Sequence, residues 1–506
     1  MFLKNNSIIS VQAARDRGTA MISPSALATF ILYFILLLGM GLYFYRRTAN
    51  LEDYLLGGRS LGVWVTAFSA QASDMSGWLL MGLPGAVYLG GVTALWIALG
   101  LFIGTVFNWQ FVARRLRIYT QLYNSLTLPS FFESRFGDPT GLLRILSAVI
   151  TLIFFTIYTS SGLVASGKLF ESIFNMNYRL AVLIGGIVII AYTFLGGFLA
   201  VSWTDLVQGA LMVMAIVVVP LAAINSLGGT DAVIGAMTVK NIPLELFGTG
   251  FSLLTMFSAA AWGLGYFGQP HILARFMGIR SARDLPRSTF IAVTWVILSL
   301  SGAVAVGFTA IAMFPDLHGG DEEKVFIYMV AKIFNPWTGG IMLAAILSAI
   351  MSTIDSQLLV SSSALTEDFY DKVIRNNASQ RELVFMGRIC VIIISVIALL
   401  LAMNPDNTVL GLVAYAWGGF GAAFGPLVLF ALFSRKTSWQ AALAGMITGT
   451  VTLVLWKSMG LGGFMYEIVP GFASNIIVMT AVSRFIPQRN EKILSDFDMI
   501  NSGEIN

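Results

Sequence analysis

The chain has 506 residues, of which 57% are hydrophobic and 11% charged, and its mean hydropathy is +0.80. No water-soluble domain of this length is so apolar, so the solvent of this fold is lipid. The formal net charge of +4 sits mainly in the segments between apolar runs, where it reads as orientation in a membrane and not as a nucleic-acid surface.

A bilayer core takes roughly 20 apolar residues of helix to cross, and such runs recur from Ser25 to Phe485. A transmembrane β-barrel is excluded, because its strands alternate apolar and polar residues over about 10 positions. The pattern predicts an all-α polytopic membrane protein with thirteen spans. In chain order these are Ser25 to Tyr45, Val65 to Tyr88, Ala94 to Ala113, Leu146 to Ala165, Leu180 to Phe198, Leu206 to Ile224 and Phe251 to Arg275. The remainder are Phe290 to Phe314, Gly339 to Leu365, Met386 to Met403, Val409 to Phe433, Trp439 to Trp456 and Ile468 to Phe485.

Loops that stay in the cytoplasm carry the excess of Lys and Arg. Most of the 30 basic residues then fall inside if the amino terminus lies outside, among them Arg46, Arg47, Arg114, Arg115, Arg117, Arg275, Arg280, Arg283, Arg287, Arg435 and Lys436. Arg15 and Arg17, on the leading tail 1–24, are exceptions, and that tail has no apolar signal-peptide core. Arg59 in Gly57-Gly58-Arg59-Ser60 reads equally as an inner gate or as a positive-inside anchor. Cys390, the single cysteine, lies in an apolar run and reads as packing. His271 and His318 are too few and too far apart for a metal centre, and both read as satisfied or solvated histidines.

An ionisable group inside a span is costly and marks function by default. The clearest is Asp74, in Gln71-Ala72-Ser73-Asp74-Met75-Ser76-Gly77-Trp78, with Gly82, Pro84 and Gly85 following. So many breakers at mid-span predict a local unwinding that frees carbonyl oxygens, the ligands a sodium ion needs in place of water. A second interrupted span, Ala261-Trp262-Gly263-Leu264-Gly265-Tyr266-Phe267-Gly268-Gln269-Pro270, follows about 190 residues later. Two broken helices, each opening five spans, are the mark of an inverted repeat, although glycine in such helices also serves close packing. In the span from Gly339, Ala349, Ser352 and Thr353 fall at i, i+3 and i+4 on one face. Ser352, Asp355 and Ser356 repeat that spacing with a carboxylate added. Hydroxyls in such helices often bond back to their own carbonyls, an account that leaves Asp355 unexplained. Asp205 either joins this group or caps its helix.

These strings carry a resemblance. Ala72 to Trp78, Trp262 to His271 and Ala349-Ile350-Met351-Ser352-Thr353 are similar to the solute:sodium symporter family, most of all to its proline carriers, over the region Ser25 to Phe485. The resemblance implies a leucine-transporter-type fold with a five-plus-five inverted repeat, one leading helix and two trailing helices. It divides the chain into a tail 1–24, a leading helix and inner loop 25–64, repeats 65–250 and 251–434, trailing helices 435–485 and a cytoplasmic tail 486–506. It also implies Na+-coupled symport of L-proline by a monomer in a bacterial inner membrane. A sodium site is implied at the carbonyls of Ala72, Met75 and Ala349 and the hydroxyls of Ser352 and Thr353. The resemblance points to Ser76, Trp78, Tyr158, Trp262, Tyr266, Gln269 and Pro270 for the substrate, with Asp74 either steadying the sodium or meeting the substrate's ammonium. Interfacial anchoring is the competing account of the aromatics. A second cation is implied near Asp205, Ser352, Asp355 and Ser356. Where Asp355 stands the proline carriers usually have a hydroxyl, a departure that favours either that cation or a proton. The same fold carrying another organic solute or acting as a sensor is the alternative. No mid-membrane acid–base or metal set suggests an enzyme.

Overall fold

The computed structural model describes residues 24–45, 51–195, 197–242, 245–247, 252–375 and 378–502, and among these the regular structure is helical. Among the described residues ten helices are long and apolar enough to cross a membrane, against the thirteen spans expected, and helical structure overlaps each of the apolar runs. Tyr178–Ala191 and Leu253–Gly268 fall short of full span length as uninterrupted apolar helices. Arg15, Arg17, Arg46 and Arg47 lie outside the described residues.

The helices that position the site are α1 (Pro24–Tyr45), α2 (Val63–Asp74), α3 (Leu83–Gly90), α4 (Leu95–Phe107) and α5 (Leu142–Phe174). They continue with α6 (Phe198–Leu227), α7 (Leu253–Ala260), α8 (Pro270–Gly278), α9 (Leu285–Met313), α10 (Pro336–Ser363), α11 (Val409–Phe433), α12 (Trp439–Ser458) and α13 (Ile468–Phe485). The two interruptions expected from glycine and proline are present. Helix α2 stops at Met75, whose ψ of 79° leaves the helical region, and a π turn at Trp78–Gly82 leads into α3. Between α7 and α8 the chain tightens to a 3-10 stretch, Ala261–Gly268, and breaks at Gln269 (φ −81°, ψ 106°). Pro270 then opens α8 at the one position where its missing N–H costs nothing.

Small residues let these irregular segments sit deep in the bundle. Helix α4 crosses the 3-10 stretch at Gly100 and Gly104, and a Cβ on Gly263 would lie 2.2 Å from the Gly100 carbonyl oxygen. The opposite side of that stretch meets α11, where a Cβ on Gly268 would lie 2.2 Å from the Phe420 carbonyl oxygen. Helix α11 holds Pro426 in its interior, which removes the hydrogen bond that the Ala422 carbonyl would otherwise receive. Asn475 of α13 supplies it, donating from Nδ2 to the carbonyls of Ala422 (2.8 Å) and Ala423 (3.0 Å). In a medium without water, that side chain is what makes the proline tolerable.

Arg59 is a staple. Gly57, Gly58 and Arg59 all have positive φ, and the turn they make brings the guanidinium to the carbonyls of Met277 (3.0 Å), Thr120 (3.1 Å) and Ser125 (2.8 Å). Three segments are thereby joined at one end of α8, beyond what a positive-inside anchor requires.

Gly263→Val is expected to prevent α4 from seating, since backbone and not a movable side chain fills the space. The measurement is the yield of monodisperse protein on size-exclusion chromatography in detergent, with the substitution expected to abolish it.

Candidate functional site

The first break and α10 meet at the Ala72 carbonyl. That oxygen accepts hydrogen bonds from Ser352 Oγ (2.8 Å) and Thr353 Oγ1 (3.3 Å), and Ser352 Oγ also lies 3.3 Å from the Ala349 carbonyl. The i, i+3, i+4 face seen in sequence therefore points at the break, and all four residues are buried. Met75, the first residue past the α2 helix, is buried beside them. Carbonyl and hydroxyl oxygens of this kind are hard ligands, suited to an alkali or alkaline-earth cation and not to a soft metal.

Asp74 joins the two broken helices. Its Oδ2 accepts from the Tyr266 hydroxyl at 2.6 Å, across 192 positions of sequence, while Oδ1 is buried with no hydrogen-bond partner among the described residues. Its backbone carbonyl accepts from Trp78 Nε1 (3.1 Å) and from the Tyr158 hydroxyl of α5 (3.3 Å). Three of the aromatic residues named from sequence thus converge on one residue, and they are buried rather than lipid-facing. Ser76 is held within the break, accepting from the Trp78 amide at 3.4 Å.

Trp262 and Gln269 are held from another direction. Trp417 of α11 donates from Nε1 to the Trp262 carbonyl (2.7 Å), and Gln269 Nε2 donates to the carbonyls of Gly265 and Trp417 (both 3.2 Å). The Trp417 ring stands edge-on to Tyr266 at 4.9 Å, and the Trp262 ring packs against Tyr466 at 5.3 Å. Pro270 faces a separate small cavity shared with Thr151 and Leu55. Sequence reading missed Trp417 and Tyr466, since neither stands in a broken helix.

The second cation cluster divides. Ser352 belongs with Ala72, whereas Asp205 and Ser356 are brought together by the guanidinium of Arg275, which is fully buried and not in an inner loop as its sequence position suggested. Arg275 donates from Nε to Ser69 Oγ (3.0 Å), and its second terminal nitrogen reaches Asp205 Oδ2 (3.2 Å) and Ser356 Oγ. Ser69 Oγ also donates to Asp205 Oδ2 at 2.6 Å. Asp355 is buried next to Ser356, and its Oδ2 has no partner among the described residues. A signal for this arrangement was present: Arg275 follows His271 by four residues, on the same face of α8. Its partner Asp205, 70 residues away, was legible only as an acid at the edge of a span.

Tyr266→Phe removes the donor to a buried carboxylate and is expected to destabilise the ligand-free protein by about 1–3 kcal/mol. Adding Asp74→Asn, which removes the charge, is expected to recover part of that loss. Thermal unfolding midpoints of the two single variants and the double variant measure it.

The model of the sodium:solute symporter family matches residues 54–449. The sodium/proline symporter of Escherichia coli strain K12 is 51% identical over 458 residues, covering 89% of this chain and 91% of that protein. The high-affinity proline transporter PutP of Bacillus subtilis strain 168 is 48% identical over 464 residues, covering 91% of this chain and 98% of that protein. Among solved structures, a Na+-coupled sialic acid symporter in a substrate-bound outward-open state superposes with a TM-score of 0.78 at 17% identity, covering 92% of this chain and 99% of that one. MhsT in complex with L-phenylalanine superposes with a TM-score of 0.54 at 14% identity, over 83% of this chain and 97% of that one. At those identities the likeness is one of fold, and it is the leucine-transporter type.

Proposed function

The chain belongs to the sodium:solute symporter family, and from that premise we propose that it brings L-proline into the cell, driven by the inward Na+ gradient through alternating access. Two relatives that match it along nearly their whole length carry proline in their names. The observation that carries the mechanism is the meeting of Ser352, Thr353 and Ala72 across the first break.

There the two hydroxyls donate to a carbonyl. An arriving Na+ takes the carbonyl oxygen and the hydroxyl lone pairs as ligands, with the carbonyls of Ala349 and Met75 completing the shell. Hydrogen bonds are exchanged for ion–oxygen contacts, and the end of α2 becomes fastened to α10. Asp74, two residues from Ala72, contributes a fixed negative charge to the same end of the helix. Its unpartnered Oδ1 is open to the substrate's ammonium. Trp78, Tyr158, Trp262 and Tyr266 give the flat apolar surfaces that a pyrrolidine ring needs, with Ser76, Gln269 and Pro270 shaping the two breaks around it. Sodium and proline then stabilise the same arrangement, so each raises the affinity of the other.

On this reading residues 65–250 and 251–434 are the inverted repeats that rock against each other, 25–64 and 435–485 are accessory, and one chain is the working unit. The amino-terminal tail 1–24 lies outside a bacterial inner membrane and the tail 486–506 inside, the orientation that the excess of basic residues in the inner loops supports. A second cation at Asp205, Ser352, Asp355 and Ser356 shares its space with Arg275, so it enters only when that guanidinium leaves Asp205.

The test is uptake of radiolabelled L-proline into proteoliposomes under an imposed Na+ gradient, a proton gradient or neither. Accumulation with Na+ alone is expected, and Ser352→Ala with Thr353→Ala is expected to raise the Na+ concentration for half-maximal uptake at least tenfold, roughly the loss of one charge-assisted contact. Accumulation driven by protons alone would overturn the sodium assignment, and no proline uptake under any gradient would overturn the substrate.

A further inference from the structure

His271 is the second residue of α8, directly after Pro270 and the break at Gln269. It is fully buried, unlike the exposed His318, and neither ring nitrogen has a hydrogen-bond partner among the described residues. The reading of both histidines as satisfied or solvated therefore fits only His318. Two α5 residues hold the imidazole edge-on: Phe155 at 5.4 Å between ring centroids and Tyr158 at 6.0 Å. The charged side chain on α8 is Arg275, one turn along, and its contact with His271 is to the backbone carbonyl alone, at 3.0 Å.

An imidazole in either neutral tautomer offers one donor and one acceptor, and burying both without partners is costly. A phenylalanine in this place would pack against Phe155 and Tyr158 without that cost. Folding alone thus gives no reason for a histidine here, which directs attention to a polar group that arrives from elsewhere. Tyr158 connects the position to the substrate residues, because its ring borders His271 and its hydroxyl bonds the Asp74 carbonyl. Asp74 Oδ1, and Gln269 Oε1 in the second break, are further buried polar atoms without a partner among the described residues, and the pair that matters here is the imidazole and the carboxylate. One of the two is a carboxylate oxygen that needs a donor, and the other includes an N–H that needs an acceptor. A zwitterionic amino acid carries an ammonium and a carboxylate on one carbon and answers both needs.

We propose that His271 is a further substrate-binding residue, donating from its ring N–H to the carboxylate of the transported amino acid while Asp74 Oδ1 receives the ammonium. This rests on the proposed role in L-proline transport. It adds to the aromatic wall a polar contact from the far side of the second break, so that the substrate spans both breaks. Helix α8 assists, because the amino-terminal end of a helix favours negative charge and His271 stands at that end.

The test is L-proline binding to the purified protein by isothermal titration calorimetry at saturating Na+, with L-prolinamide, whose carboxylate is replaced by an uncharged amide, as the second ligand. His271→Phe is expected to keep or raise the ligand-free unfolding midpoint while raising the Kd for L-proline about tenfold or more. Wild-type protein is expected to prefer L-proline over L-prolinamide, and the variant to lose most of that preference. Should His271→Phe not fold, His271→Gln is compared for the same preference, with a partial loss expected. Undiminished L-proline affinity and preference in a folded variant overturns the inference alone. Failure of the wild-type protein to bind L-proline overturns the transport reading and this inference with it.

Discussion

The hydrogen bond from the Tyr266 hydroxyl to Asp74 is the contact on which the rest of the site depends. Each broken helix exposes polar groups where no water is available, and each needs a partner that the lipid cannot provide. Asp74 and Tyr266 supply part of that need across the gap between the two breaks, so one hydrogen bond ties the two unwound segments together. The same aspartate carries on its backbone carbonyl the Trp78 and Tyr158 contacts, and its neighbour Ala72 carries the Ser352 and Thr353 contacts. The proposed ion ligands, the proposed substrate wall and the helix geometry are therefore parts of one hydrogen-bonded unit.

Packing sets the limits within which that unit works. The 3-10 stretch Ala261–Gly268 is clasped on one side by α4, through Gly100 and Gly104, and on the other by α11, where a Cβ on Gly265 would strike the Trp417 ring at 1.9 Å. No side chain larger than glycine's hydrogen fits between these backbones. Arg59 and Arg275 both hold α8, by different chemistry: one guanidinium satisfies carbonyls, and the other pairs with the buried Asp205. A buried ion pair of that kind adds little net stability compared with apolar packing, but removing one partner is strongly destabilising.

Much of this was legible in the sequence because lipid removes ambiguity. An aspartate inside an apolar span marks function by default, and its company with glycine, proline and hydroxyls outweighs the packing and back-bonding readings of those residues taken singly, which is why both breaks and the Ser352–Thr353 face are visible in the sequence. Helix ends were less legible. The apolar run from Leu146 to Ala165 is part of a helix reaching from Leu142 to Phe174, because the ends are set by Gly141 and Asn175 in left-handed conformation and not by hydropathy. Arg275, Trp417 and Asn475 were illegible for a different reason. Each acts on a partner tens to hundreds of residues away, and nothing in local spacing records which carbonyl or carboxylate a long side chain will reach. His271 was misjudged because a residue type alone does not say whether its partners are present.

The central claim is that a cation at the Ala72 carbonyl fastens the first break to α10 and, through Asp74, orders the second. Hydrogen–deuterium exchange of the purified protein in Na+ against K+, without substrate, measures this most directly. Slowed exchange in Na+ is expected at the amides from Asp74 to Trp78 and from Ala261 to Gln269, with the rest of the helices unchanged. Identical exchange of both segments in the two salts would contradict it.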